Sequence, residues 1–231
     1  ITVLIPCYNE GKTIEKVLTD VKKSLDEIKC LYEIIIINDC SSDNTENNLK
    51  KYELSEHLKI IHHNKNMGKG AAIRSGISIS KGELIIIQDA DLEYNPRDYK
   101  KLILPFEETD ADVVYGSRFI GGGNYVRIHF FWHFLANKIL TFICNFVTNL
   151  NLTDMETGYK VFKKNILLSL DLKENSFGIE PELTIKLSKK NAKFFEVPIS
   201  YNGRSYAEGK KITIKDAFRA LFCIFRYSIF K

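Results

Sequence analysis

Glu83-Leu84-Ile85-Ile86-Ile87-Gln88-Asp89-Ala90-Asp91-Leu92-Glu93 is an apolar run that ends in two carboxylates one residue apart. Four aliphatic residues in a row predict a strand buried on both faces, as in a parallel sheet, and ligands of open α/β sheets bind beyond the carboxyl ends of such strands. Residues i and i+2 of an extended chain share a side, so Asp89 and Asp91 are expected to converge on one divalent cation. An isolated Asp-x-Asp also fits an exposed acidic turn, and the neighbouring segments decide between the two.

Similar apolar runs lie on either side: Thr2-Val3-Leu4-Ile5, Ile34-Ile35-Ile36-Ile37, Leu58 to Ile61 and Asp112-Val113-Val114-Tyr115-Gly116. Helical spacing of Ile14, Val17, Leu18, Val21, Leu25 and Ile28 predicts a helix after the first run. Further helices are expected in a short segment up to Tyr52, over Ala71–Ser80, and from the Asn95-Pro96 cap towards Phe106. Strands alternating with helices predict an α/β fold built from right-handed βαβ units. Three loops then fall on one sheet edge: Pro6-Cys7-Tyr8-Asn9-Glu10, Asn38-Asp39 and Asp89-Ala90-Asp91. Together they offer an aromatic ring, amides and carboxylates, a set suited to a base, a ribose and a metal-bridged diphosphate. Gly68-Lys69-Gly70 opens a helix whose free N–H groups and lysine suit a phosphate, although the Walker spacing is absent and a lone GxG is more often a plain helix entry.

After Arg118 the character changes. His129 to Leu150 reads as one long helix crowded with aromatic and aliphatic residues, and a terminal helix from Thr213 places Phe218, Phe222 and Phe225 among Arg219, Arg226 and Lys231. Both are expected to form a single lipid-facing patch, the terminal one suited to anionic headgroups. Between them come a strand at Tyr159–Phe162, a helix over Pro181–Lys190 and a strand at Lys193–Val197. The longest uncharged stretch, Ile139 to Thr153, has 15 residues, several of them Asn or Thr, and is too short and polar for a membrane span.

The 231 residues, 45% hydrophobic, suffice for a substantial core, and 33 Lys+Arg against 29 Asp+Glu is too slight a bias to imply nucleic acid. Five widely spaced cysteines without a CxxC indicate neither a disulfide framework nor a zinc site. His129 and His133 lack the glutamate and third ligand of a zinc helix, and His62 and His63 are expected to face solvent. Ile1 already opens a strand-like run and no signal peptide precedes it, so the native start is expected to lie upstream.

Taken in order, Pro6-Cys7-Tyr8-Asn9-Glu10, Asn38-Asp39-Cys40-Ser41-Ser42-Asp43, Gly68-Lys69-Gly70, Asp89-Ala90-Asp91-Leu92, Gly116-Ser117-Arg118 and Thr153-Asp154-Met155-x-Thr157-Gly158 resemble the motif series of family 2 glycosyltransferases. The closest likeness is to polyprenyl-phosphate sugar synthases of the dolichyl-phosphate mannose synthase kind, and it runs through Phe177 to Glu182 and Tyr206 to Lys211. That resemblance implies a GT-A fold with a mostly parallel sheet. It implies one domain whose residues 1–120 bind a nucleotide-sugar and whose residues 121–231 bind the acceptor, carrying amphipathic interface helices. It also implies an inverting hexose transfer at the cytoplasmic face of a membrane, from a donor such as GDP-mannose, UDP-glucose or UDP-GlcNAc to a polyprenyl phosphate. Pro6, Tyr8, Asn9, Glu10, Asp39, Lys69, Asp89 and Ala90 would bind the nucleotide, and Asp89 and Asp91 would hold Mg²⁺ or Mn²⁺. Asp91, Arg118 and Asp154 would serve catalysis, and Arg118, Arg127, Glu180, Arg204 and Lys210 would meet the acceptor or its phosphate. The oligomeric state is left open.

Acceptor chemistry separates the alternatives. A glycan or protein hydroxyl needs a base, for which Asp154, Glu180 and Glu182 are candidates, whereas a phosphate monoester with a second pKa of about 6 is already largely ionised. A non-catalytic nucleotide-binding module is the third reading. No Gly-rich arginine loop follows the first strand, which argues against a nucleotidyltransferase.

Overall fold

A computed structural model describes residues 1–121, 130–204 and 214–229. Its centre is a seven-stranded sheet in the order β3-β2-β1-β4-β6-β5-β7. The strands are β1 (Thr2–Cys7), β2 (Glu33–Asn38), β3 (Leu58–His62), β4 (Leu84–Ile87), β5 (Val113–Ser117), β6 (Lys160–Lys163) and β7 (Phe194–Pro198). β1 to β4 pair in parallel, as does β5 with β7, while β6 runs antiparallel between β4 and β5. The sheet is thus mostly parallel, and a strand from the second half of the chain is wedged into the first.

Period-two alternation divides each strand between two cores. Leu4, Ile35, Ile37, Ile85 and Ile87 face one side, with α3 (Lys69–Ile79), α5 (Phe131–Thr148), α6 (Lys164–Leu168), α7 (Ile179–Lys189) and α8 (Ile214–Ile229). Val3, Ile5, Ile34, Ile36 and Ile86 face the other, with α1 (Ile14–Ile28), α2 (Thr45–Lys50) and α4 (Tyr99–Glu108). This two-sided burial is why β4 reads as an unbroken aliphatic run. The short helix α6 carries no sequence signal strong enough to predict it. α5 begins at Phe131, after an extended Phe130.

Candidate active site

The three loops do meet at the carboxyl ends of β1, β2 and β4, and the first two are laced together. Asn9, in the left-handed region at φ 53°, which Asn tolerates, donates its N–H to Ser41 Oγ (2.9 Å) and accepts from Ser42 N (2.7 Å). Asn9 therefore ties the loop after β1 to the loop after β2. Pro6 lies within β1 opposite Ile37, and Tyr8 stands on the rim, 38% exposed. Asp39 is buried: its carboxylate accepts from Met67 N (2.8 Å), Gly68 N (2.7 Å) and His63 Nδ1 (2.7 Å), and His63 Nε2 reaches Ser75 Oγ (2.9 Å). His63 is thus an interior tie; only His62 of the pair faces solvent.

The Gly68-Lys69-Gly70 entry to α3 is not an open phosphate cradle. The Asn175 carbonyl accepts from Ala71 N (3.1 Å), and a Cβ on either glycine would run into the Glu174–Asn175 backbone. The glycines, Gly68 at φ 93°, are required by that close approach. The Lys69 side chain does reach the site. Its ammonium lies 2.9 Å from Asp89 Oδ1 and 3.1 Å from Glu180 Oε1; burial alone would lower its pKa, but these two carboxylates hold it well above the ordinary lysine value.

β4 ends at Ile87, so Asp89 and Asp91 are brought together by a turn with Leu92 at φ 64° rather than by strand alternation. Glu93 N donates to Asp91 Oδ1 (3.1 Å), and Thr13 Oγ1 ties the Ala90 carbonyl (2.7 Å) to Glu10 Oε2 (2.9 Å). Arg204, which follows β7, closes this acidic corner. Its Nη2 is 2.9 Å from Asp91, its Nη1 3.4 Å from Glu10, and its backbone N donates to Glu93 Oε1 (2.8 Å). Burial, then the charges of Asp89 and Glu93, push the Asp91 carboxyl up to about 7 against the pull of Arg204.

No group of three His, Cys, Asp or Glu poised to hold a metal occurs among the described residues. The pair Asp89 and Asp91 nevertheless fits Mg²⁺ or Mn²⁺. Both are hard oxygen donors, Mg²⁺ is commonly bound by one or two carboxylates plus substrate phosphates, and the mutual repulsion at Asp91 marks a surplus of negative charge. Gly158 packs directly on Asp89: a Cβ there would overlap Asp89 Oδ2 and lie 3.0 Å from the Tyr94 ring. Gly158→Ala is expected to cost about 1–3 kcal/mol by overpacking and to displace Asp89. A lowered melting temperature together with weaker Mn²⁺-supported nucleotide binding checks this; two unchanged values would contradict it.

At the end of β5, Arg118 and Asp154 form a bidentate pair, Nε–Oδ2 and Nη2–Oδ1 both at 2.7 Å. Asp154 also accepts from Arg118 N (3.1 Å) and Asn137 Nδ2 (3.0 Å), while Glu196 receives the N–H groups of Thr153 and Asp154. Burial raises the Asp154 carboxyl, but the Arg118 guanidinium and these donors outweigh it and hold it below the usual carboxylate range. In this structure Asp154 is an inaccessible, fully bonded carboxylate that orients Arg118. Glu182 is engaged in a similar way: it accepts from Lys173 N and Glu174 N (2.7 Å each) and pairs with Lys186. Arg127 and Lys210 lie outside the described residues, as do His129 and Tyr206 to Lys211.

Several members of the site were not singled out from the sequence. Glu93 and Glu156 each stand two residues beyond a predicted acid, a spacing that could have flagged them. Tyr94 and Tyr201, stacked beside Arg118 and Tyr159, carried no such signal. Neither did Lys160, a buried lysine whose ammonium donates to the Met155 carbonyl (2.9 Å) and to that of Thr157.

The family model described as Glycosyl transferase family 2 matches residues 2–170. A dolichol-phosphate mannosyltransferase of Pyrococcus furiosus is 26% identical over 91% of this chain, which spans only 58% of that protein's length. An uncharacterized protein of Methanocaldococcus jannaschii is 29% identical over 90% of this chain and 93% of its own. Among solved structures, glucosyl-3-phosphoglycerate synthase from Mycobacterium tuberculosis, in complex with Mn²⁺, UDP and phosphoglyceric acid, superposes with a TM-score of 0.75 at 17% identity, covering 100% of this chain and 78% of that one. The same enzyme with Mg²⁺ and UDP gives 0.73 at 18% identity, covering 98% and 78%. At such identities the likeness carries the fold, which is GT-A.

Proposed function

The chain belongs to glycosyl transferase family 2, and from that premise we propose that it transfers a hexose, with inversion, from a nucleotide-sugar to a polyprenyl phosphate at a membrane surface, with Mg²⁺ or Mn²⁺ on Asp89 and Asp91. The observation that carries the acceptor reading is the exposed face of α5 and α8. These helices pack together, and Trp132 (75% exposed), Phe142, Phe146, Phe218, Phe222 and Ile229 stand out into solvent from them. Large apolar side chains clustered in this way mark an interaction surface. Phe222, Phe225, Arg226 and Ile229 line a shallow groove, which combines apolar area with a cation suited to a headgroup. Among the described residues no helix is long and apolar enough to cross a membrane, so the face suits binding in the interface plane. The sequence likeness to a dolichol-phosphate mannosyltransferase supports the same acceptor class.

The residues then divide the labour. The rim at Tyr8 and the loops of β1 and β2 receive the nucleoside. The bound cation would neutralise the diphosphate as it leaves. Lys69 and Arg204 add fixed positive charge beside the carboxylates. Arg118, oriented by Asp154, faces the acceptor side. An ionised phosphate needs no base, which agrees with the full engagement of Asp154 and Glu182; the Glu156 carboxyl is pushed up to about 8 by burial and by Glu180.

The membrane part has its own check. The protein is expected to float with liposomes containing phosphatidylglycerol, and Phe146→Asp with Phe222→Asp to weaken that binding about tenfold or more, since burying each Phe contributes about 1.5–3 kcal/mol. Absence of flotation by the unmodified protein would remove the surface reading. Transfer of labelled hexose from a panel of nucleotide-sugars, with and without Mn²⁺, tests the donor half; no metal-supported product from any donor would count against it.

A further inference from the structure

Two carboxylates between the donor station and Arg118 have no role in the scheme so far. Glu180 has 7% of its side chain exposed; Oε1 rests on Lys69, but Oε2 is buried without a hydrogen-bond partner. Glu156 Oε1 is likewise buried and unpartnered. A buried acceptor left unpaired forfeits its hydration without a replacement hydrogen bond, which is costly. Such an arrangement calls for a ligand that supplies hydrogen-bond donors.

Their position says which ligand. Lys69 links Glu180 to Asp89, so Glu180 adjoins the diphosphate end. Glu156 lies within electrostatic reach of Glu180, of the Lys160 ammonium, and of Arg118 and Asp154. A group in transit from diphosphate to acceptor must lie between those ends. We propose that Glu156 and Glu180 form the subsite for the transferred hexose and hydrogen-bond to its hydroxyls. This rests on the nucleotide-sugar reading above.

The chemistry excludes the expected alternative for Glu180. A carboxylate with a bare buried oxygen repels a phosphate, so Glu180 is not an acceptor-phosphate ligand, whereas neutral hydroxyls donate to it without a charge penalty. The Glu156 carboxyl is presented rigidly. Lys160, clamped to the carbonyls of Met155 and Thr157 and lying 4.4 Å from the centre of the Tyr115 ring, fixes the backbone on both sides of it. Burial and the nearby Glu180 push the Glu156 carboxyl up, and in either protonation state its oxygens accept hydrogen bonds from hydroxyls. Discrimination follows, because a site whose polar groups are satisfied only by hydroxyls rejects an analogue that lacks them.

Titration calorimetry with Mn²⁺ separates this subsite from the nucleotide site. The full chain and its Glu156→Ala and Glu180→Ala variants are titrated with UDP, GDP, UDP-glucose, UDP-GlcNAc and GDP-mannose. The best-bound sugar nucleotide is expected to lose about tenfold or more in affinity in each variant while its parent nucleoside diphosphate does not weaken, as removal of hydrogen bonds to charged groups predicts. Parallel losses for both ligands, or no loss for either, would overturn the subsite. Failure of the unmodified chain to bind any nucleoside diphosphate would instead overturn the donor reading. If an alanine variant shows no cooperative melting, the glutamine variant of the same residue keeps the volume, and the same comparison is read from it.

Discussion

Asp91→Ala is expected to cut hexose transfer about a thousandfold, the loss seen when one preorganised electrostatic partner of a transition state is removed, without lowering the melting temperature at neutral pH. The first half follows from the position of Asp91 beside Asp89, where the two are proposed to hold the cation. The second follows from its environment. The Asp91 carboxyl, near 3.8 in an unfolded chain, is pushed up to about 7 in the folded one by burial, Asp89 and Glu93. A raised folded pKa means that the group's contribution to stability is complete below the unfolded value and is lost as pH rises through about 7. The metal-free protein should therefore melt at progressively lower temperature as pH climbs from 4 to 8, and Asp91→Ala should flatten that slope. Added Mn²⁺ should raise the melting temperature of the unmodified protein by mass action and leave the variant nearly unchanged. Equal Mn²⁺ shifts in both proteins would show that Asp91 is not a ligand.

Asp154→Ala is expected to act in the opposite way, through the fold. It leaves the Arg118 guanidinium, 12% exposed, without its bidentate partner in a buried setting. Breaking one side of such a pair costs about 3–5 kcal/mol, or about 10 °C in melting temperature for a chain of this size. Replacing both partners by apolar residues, Arg118→Met with Asp154→Leu, should recover much of that stability because no charge is then left stranded, yet should remain inactive. If Asp154 were instead a free base, Asp154→Asn would keep stability and shift the pH profile of transfer. Equilibrium denaturation of the three variants beside their pH–rate profiles distinguishes the two roles.

Most of the first half of the chain could be read from the sequence, for physical reasons. Strands buried on both faces, such as Leu84–Ile87, write themselves as aliphatic runs, and the loops that follow parallel strands must lie on one edge. Helix α1 was legible because one of its faces is wet. The second half was less legible. β6 looks like any short strand, and only long-range pairing reveals that it inserts antiparallel between β4 and β5. Asp39 and Asp154 have the composition of ligands, but they spend their oxygens on Met67, Gly68, His63, Arg118 and Asn137, partners distant in sequence. Arg204 was recognised as a cation for phosphates, yet its closure over Glu10, Asp91 and Glu93 depends on where the chain returns after β7. The Gly68-Lys69-Gly70 entry shows the same limit: its glycines admit the Glu174–Asn175 backbone, a contact that local spacing cannot disclose.

The acceptor class is the centre of the account, and one comparison tests it directly. The protein, Mn²⁺ and the preferred nucleotide-sugar are offered a polyprenyl phosphate and the free polyprenol of the same chain length, and the lipid products are resolved by chromatography. Product from the phosphate alone, with a rate that does not depend on ionisation of any carboxylate above the acceptor's own pKa, is the predicted result. Transfer to the alcohol, or to a soluble hydroxyl acceptor in preference to the phosphate, would contradict it.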